Sequence, residues 1–120
     1  LGVSILTSLD EEQTKKYYFN KDIEKIVESF AKNALINGLD GIVCSPKEIK
    51  IIKKITKNNL LIVTPGIRPI DHNITSDDQK RIMSPQEAIK IGANYLVIGR
   101  PITKSSNPLK ILQSINISLE

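Results

Sequence analysis

The chain has 120 residues, 40% of them apolar and 25% charged, with a formal net charge of +4, values that fit one globular domain and exclude a low-complexity chain. Its basic residues are spread over presumed helix faces without a run of like charge or an aromatic ladder, so nucleic acid is not an expected partner. No apolar run approaches the ~18 residues of a membrane span, and the single cysteine, Cys44, precludes an intrachain disulfide, so a cytoplasmic protein without a membrane partner is expected.

The first segment, LGVSILTSL, is strand-like from Leu1 and lacks a starting Met, so upstream sequence is expected to be missing. VSIL (3–6) reads as the first strand. Ser8-Leu9-Asp10-Glu11 then has the form of a capping box, which predicts a short helix with Ser8 as its cap. Over 22–37, Ile23, Ile26, Val27, Phe30, Ala31, Ala34 and Leu35 fall on one helical stripe, and Gly38 is placed to end it. GIVC (41–44) is the second strand. Ser45-Pro46-Lys47-Glu48 follows, with Ser at N-cap, Pro at N1 and Glu at N3, ahead of an Ile49, Ile52, Ile55 stripe.

LLIVT (60–64) is the third strand and leads into the stiff loop TPGIRP (64–69). Residues 71–80 lack periodicity and are rich in turn formers, which reads as a mobile loop. A second cassette, Ser84-Pro85-Gln86-Glu87, opens a helix carrying Ala88, Ile89 and Ile91, with Gly92 as its stop. YLVIG (95–99) is the fourth strand, and Asn107-Pro108 opens a last helix bearing Leu112, Ile115 and Leu119. Near-continuous apolar strands alternating with helices predict a parallel α/β sheet covered on both faces. Four β/α units make half of an eight-stranded barrel, although a four-stranded open sheet fits the same count. The abrupt first strand favours the half-barrel.

In β/α barrels the working residues lie at the C-terminal strand ends, often with a phosphate site after the last two strands. Gly99 permits close backbone approach to an anion, and the planar fork of Arg100 matches phosphate oxygens. The alternative for Arg100 is a pairing with a helix acid. Its position beside a glycine at a strand end favours phosphate. Arg68 projects from the TPGIRP loop. Gln79, near the end of the polar stretch, either reaches back over a ligand or stays solvated. Thr7 follows the first strand and is open to either role. Cys44 reads as a small packed hydrophobe rather than a nucleophile, and His72 as a loop residue, since no second His exists to share a metal. No Lys or Asp stands at a strand end, and no metal cluster is visible, so the reaction itself does not follow from these residues.

LTSL, GLDGIVCSPKE, LIVTPGIRP, DDQKRIMSPQEAIKIGANYLVIGRPIT and ILQSIN together resemble the C-terminal half of bacterial orotidine 5'-phosphate decarboxylases, in order and along the whole chain. The resemblance implies the last four units of a (β/α)8 TIM barrel, with residues 1–120 as the C-terminal half of one domain. It further implies conversion of orotidine 5'-monophosphate to uridine 5'-monophosphate and CO2 in pyrimidine biosynthesis, without metal or organic cofactor, by a homodimer. On that basis Thr7 contacts the pyrimidine, Arg68 and Gln79 belong to a closing phosphate loop, Gly99 and Arg100 hold the phosphate, and Pro65 walls the pocket. The family's Lys-Asp-Lys-Asp array, on a D-x-K-x-x-D-I-P-N-T stretch, has no counterpart here, so no catalytic residue is expected in this chain. The Ile70–Asp78 loop is longer than the family's usual one. The rivals are a related phosphate-binding barrel such as a hexulose-phosphate synthase, which should lack the QKRIMSP segment, and a self-standing half-barrel that binds phosphates without catalysis.

Overall fold

A computed structural model describes residues 1–18, 22–69 and 83–120. In chain order the elements are β1 (Gly2–Val3), α1 (Glu11–Tyr17), α2 (Ile23–Ile36), β2 (Gly41–Val43), a 3-10 turn (Pro46–Glu48) running into α3 (Ile49–Thr56), β3 (Leu61–Thr64), α4 (Pro85–Lys90), β4 (Tyr95–Leu96), α5 (Arg100–Thr103) and α6 (Pro108–Ile117). The four strands form one parallel sheet in the order β1-β2-β3-β4, so strands consecutive in the chain are also neighbours in space. That is the arrangement of successive right-handed β/α units.

The register sets the two faces. Ile42 pairs with Ile62, and Val3, Val43, Val63 and Tyr95 align across all four strands. Side chains alternate along a strand, so Ile42 and Ile62 share one face while the aligned Val3 row points the other way. The first face is the core: Ile42 and Ile62 pack with Ile26, Val27, Ala31, Ile49, Ile52 and Ala88, all 5% exposed or less. These are the stripe residues of α2, α3 and α4.

The second face is not covered. Val3, Leu61, Tyr95 and Val97 remain 63%, 42%, 60% and 49% exposed. The expected burial on both faces is thus corrected: among the described residues the helices lie on one side only, and nothing closes the other. Strand lengths are corrected too. β1 occupies Gly2–Val3 rather than 3–6, because the chain turns at Leu6, whose carbonyl accepts from Leu9 N at 3.1 Å. Pairing nevertheless runs one residue further, with Ser4 N donating to Val43 O at 2.9 Å. On β4, Val97 N donates to Thr64 O at 2.9 Å. Asn94 extends that strand backwards, its amide and side-chain carbonyl bonding the Ile62 carbonyl and amide, each at 2.9 Å.

The caps follow the reading with one change. Asp10, not Ser8, caps α1: Gln13 N donates to Asp10 Oδ1 at 2.8 Å and Asp10 N donates to Gln13 Oε1 at 3.1 Å, a capping box two residues later than expected. Both Ser-Pro cassettes open helical turns. In the second, Ser84 Oγ donates to Glu87 Oε2 at 2.6 Å and Glu87 N donates back to Ser84 Oγ at 3.4 Å. Gly92, at φ +111, ends α4 where Lys53 would meet any added Cβ at 2.6 Å. Ile89 and Leu112, expected on buried stripes, are 41% and 42% exposed. Both line a groove beside β4, together with Tyr95 and Leu96.

Candidate functional site at the C-terminal strand ends

Because the strands are parallel, every segment that follows a strand starts at the same end of the sheet. Thr7 follows β1, Cys44 and Ser45 follow β2, Pro65–Arg68 follows β3, and Gly99–Arg100 follows β4. β3 and β4 are adjacent, so the Arg68 loop and the Gly99–Arg100 turn are neighbours. β1 and β4 are the outer strands, which puts Thr7 three strand spacings from Arg100, each ~4.8 Å along the sheet.

The Arg68 loop is built by its glycine. Gly66 has φ +78, a left-handed conformation that turns the chain sharply after Pro65. Ile67, fully buried, then forms a parallel bridge with Met83: Arg68 N donates to Met83 O at 2.9 Å and Met83 N donates to Gly66 O at 3.3 Å. The two ends of the 69–83 stretch are therefore pinned together beside β3. The Arg68 guanidinium folds back so that Nη1 donates to the Ile67 carbonyl at 2.9 Å, and the side chain is half-buried. Gln79 and His72 lie in that stretch, outside the described residues.

After β4, Gly99 precedes the short helix α5, and its carbonyl accepts from Ile102 N at 2.9 Å and Thr103 N at 3.0 Å. Among the described residues its amide donates to no backbone carbonyl. A Cβ built on Gly99 meets no protein atom within 4 Å, so the space over it is open. Arg100 is the first residue of α5 and half-buried, and the buried Pro101 behind it fixes the turn. Arg68 and Arg100 thus follow adjacent strands, with Arg100 directly after the open Gly99, and a guanidinium fork is chemistry that suits phosphate oxygens.

At the β1 and β2 ends, Thr7 is 6% exposed and Cys44 1% exposed. The Cys44 thiol packs in the core, as its place in an apolar run implied. A feature missed in the sequence lies here. Glu48, 3% exposed, accepts from Ser45 N at 3.0 Å and from Ser4 Oγ at 3.4 Å, so one buried carboxylate ties the mouth of β1 to the turn after β2. The capping-box spacing announced the first bond; nothing local announced the second, 44 residues away. The Glu48 amide bonds the Ser45 carbonyl at 3.0 Å instead of the hydroxyl, which leaves the Ser45 Oγ, like Thr64 Oγ1, buried without a hydrogen-bond partner among the described residues.

A cleft of about 400 Å³ lies on the flank between α1, α2 and the 3-10 turn. Asp10, Glu11, Glu24 and Glu48 line it against one Lys47, and that excess of carboxylates repels an anion. Among the described residues no group of three or more His, Cys, Asp or Glu is placed to hold a metal, and no helix is long and apolar enough to cross a membrane.

The family model of the orotidine 5'-phosphate decarboxylase / HUMPS family matches residues 1–115. The orotidine 5'-phosphate decarboxylase of Wigglesworthia glossinidia brevipalpis is 49% identical over 116 residues, covering 96% of this chain and 49% of that protein. That of Actinobacillus succinogenes is 43% identical over 119 residues, 99% of this chain and 50% of the relative. Among solved structures, the orotidine 5'-phosphate decarboxylase from Lactobacillus acidophilus superposes with a TM-score of 0.76 at 32% identity, over 98% of this chain and 47% of that one. The chain spans about half the length of the curated relatives it matches. Its four parallel β/α units, its strand-end arginines and these matches agree: the chain belongs to the orotidine 5'-phosphate decarboxylase / HUMPS family and has the α/β architecture of half a TIM barrel.

Proposed function

We propose that residues 1–120 are the C-terminal half of an orotidine 5'-phosphate decarboxylase, a carboxy-lyase of pyrimidine biosynthesis, and that this half grips the substrate. The observation that carries the proposal is the pair of adjacent strand ends bearing Arg68 and Gly99–Arg100, in a chain whose relatives are named for a substrate with a 5'-phosphate. In this reading the Arg100 guanidinium and the Gly99 amide bind the phosphate of orotidine 5'-monophosphate. Arg68 and Gln79 close over it from the β3 loop, and the pinned Gly66–Met83 base acts as the hinge of that closure. Thr7, across the sheet at the β1 end, meets the pyrimidine.

The reaction breaks the bond between C6 and the carboxylate. CO2 departs, the electron pair stays on C6, and a proton delivered there completes uridine 5'-monophosphate. The lysine that gives that proton and the aspartate that crowds the carboxylate belong to the half-barrel that this chain does not include. Residues 1–120 contribute binding energy remote from C6, which favours the closed, water-poor state in which the bond breaks. No cofactor enters the scheme. The complete enzyme is read as a cytoplasmic homodimer.

The test joins the chain to the N-terminal half of the Wigglesworthia relative and follows orotidine 5'-monophosphate by absorbance. Turnover to uridine 5'-monophosphate is expected. A folded, complete barrel that leaves the substrate intact, or that binds uridine 5'-monophosphate no better than uridine, overturns the proposal.

A further inference from the structure

Among the described residues Glu48 is the only charged side chain that is buried, at 3% exposure. Burying a carboxylate is costly unless hydrogen bonds satisfy it, and the reaction scheme above makes no use of it. The chain contains its own comparison. Ser45-Pro46-Lys47-Glu48 and Ser84-Pro85-Gln86-Glu87 are the same cassette, and in both the glutamate accepts from the serine amide, at 3.0 and 3.2 Å. Glu87 also takes the Ser84 hydroxyl at 2.6 Å and stays exposed. Glu48 instead takes the hydroxyl of Ser4, directly after β1, at 3.4 Å and on the same Oε2 atom that holds the Ser45 amide. Capping a helical turn thus needs no burial. What sets Glu48 apart is its bond to the end of another strand.

We propose that Glu48 is a positioning residue: through Ser4 it sets the place of Thr7 at the C-terminal end of β1. The inference rests on the reading in which Thr7 meets the pyrimidine. Ser4 stands three residues before Thr7, a reach of no more than ~10 Å. Its amide donates to Val43 O at 2.9 Å, so its main chain is fixed to β2 and its side chain to the turn that follows β2. Ile5 then packs in the core, and the chain turns where Leu9 N donates to Leu6 O at 3.1 Å. Beyond Thr7, Asp10 and Glu11 line the same cleft as Glu48. Glu48 therefore lies against the chain on both sides of Thr7, which is itself 6% exposed. Gly99 and Arg100 follow β4, at the opposite edge of the sheet from β1. Displacing Thr7 should disturb the contact with the base and spare the grip on the phosphate.

The test uses the completed barrel and two ligands: uridine 5'-monophosphate, which carries pyrimidine and phosphate, and ribose 5-phosphate, which lacks the base. Glu48→Ala should raise the Kd for uridine 5'-monophosphate about tenfold, the upper range for one neutral hydrogen bond, and leave that for ribose 5-phosphate within about twofold. Glu48→Gln keeps an acceptor oxygen and should recover most of the affinity. Ser4→Ala removes one hydroxyl and should show the same selectivity at about threefold, so it decides the matter if Glu48→Ala does not fold. In a Thr7→Val background, Glu48→Ala should weaken uridine 5'-monophosphate by no more than about twofold further, because both substitutions act on one contact. A merely structural role predicts equal weakening of the two ligands and independent effects of Glu48 and Thr7. Either result overturns the proposal, and so does a Ser4→Ala barrel that binds both ligands like the parent. Thr7→Val without effect on uridine 5'-monophosphate overturns it together with the Thr7 contact and leaves the Arg100 grip standing.

Discussion

Arg100→Ala in the completed barrel removes a guanidinium from the mouth of β4 while leaving the turn that presents it. The turn is held by backbone: Ile102 N and Thr103 N to the Gly99 carbonyl, and Lys104 N to the Arg100 carbonyl at 3.0 Å. None of these bonds uses the side chain, so the turn that presents it should survive the substitution. A forked arginine on a phosphate makes two charge-assisted hydrogen bonds, each worth about 1.5–3 kcal/mol. Arg100 is only half-buried, and water at the rim screens the pair toward the lower end, about 3 kcal/mol in all. At about 1.4 kcal/mol per factor of ten, kcat/KM for orotidine 5'-monophosphate should fall roughly 150-fold. The assay is the absorbance change on decarboxylation, run in parallel on the nucleoside orotidine, which lacks the phosphate. The variant and the parent should turn over orotidine equally slowly. A loss below about tenfold on the phosphorylated substrate, or an equal loss on orotidine, refutes the phosphate assignment.

Gly99→Ala should leave the thermal midpoint unchanged, because its Cβ meets no protein atom within 4 Å, yet raise KM at least about tenfold by filling the space over the turn. An unchanged KM would place the phosphate elsewhere. Glu48→Ala strips the acceptor from the Ser45 amide and the Ser4 hydroxyl, both in buried residues, and should cost about 2–4 kcal/mol in urea unfolding, with Glu48→Gln recovering part of it. A cost under about 1 kcal/mol would mean that water replaces the carboxylate easily. Glu87 is held below its ordinary value of 4.5, first by the Ser84 hydroxyl and then by the Ser84 amide, with slight desolvation opposing. A lowered pKa in the folded state means that its stabilisation is complete above the unfolded value and is lost as the pH falls through the folded one. Glu87→Gln should therefore flatten part of the stability decline below pH 4.5 and change nothing in slope near neutrality; an unchanged acid limb contradicts the Ser84 contact.

Patterns that depend on neighbours in the chain were readable. Ser-Pro-x-Glu occurs twice, and each time the serine, proline and glutamate occupy the first turn of a helix, because caps and fixed φ angles are local physics. Ser8 shows where such reading stops. Ser8 and Asp10 both precede an acid or amide at a suitable spacing, and only the turn between Leu6 and Leu9 decides which of them meets the first helical amides. The Ser4–Glu48 bond was invisible for the same reason, since it depends on which strands become neighbours. The candidate site divides likewise. Strand-end positions of Thr7, Arg68, Gly99 and Arg100 follow from the alternation of strands and helices, whereas the fold of the Arg68 guanidinium onto the Ile67 carbonyl and the bridge between Ile67 and Met83 depend on how the loop packs.

Full burial of the strands was expected, and its failure explains the rest of the anomalies. An apolar run without alternation, such as Tyr95-Leu96-Val97-Ile98, is costly on a strand with one wet face, and evolution retains it only where both faces are covered. Here Tyr95 and Val97 are exposed while Leu96 and Ile98 pack toward the helices. The same mismatch recurs at Val3 and Leu61, on the same side of the same sheet. Each of the four residues is ordinary for a barrel interior and out of place at a surface. The run that delivers Arg100 to its strand end is therefore written for a closed barrel, and the grip of Arg100 on a phosphate should be strongest when that face is covered. Binding of uridine 5'-monophosphate and coverage of the Val3–Tyr95 row should accordingly rise and fall together: a Val3→Glu variant in the completed barrel, on the outer strand farthest from the Gly99–Arg100 turn, should weaken nucleotide binding in proportion to its loss of barrel stability. Tight binding by a barrel opened in this way would separate the two and place the phosphate site wholly within the β3 and β4 loops.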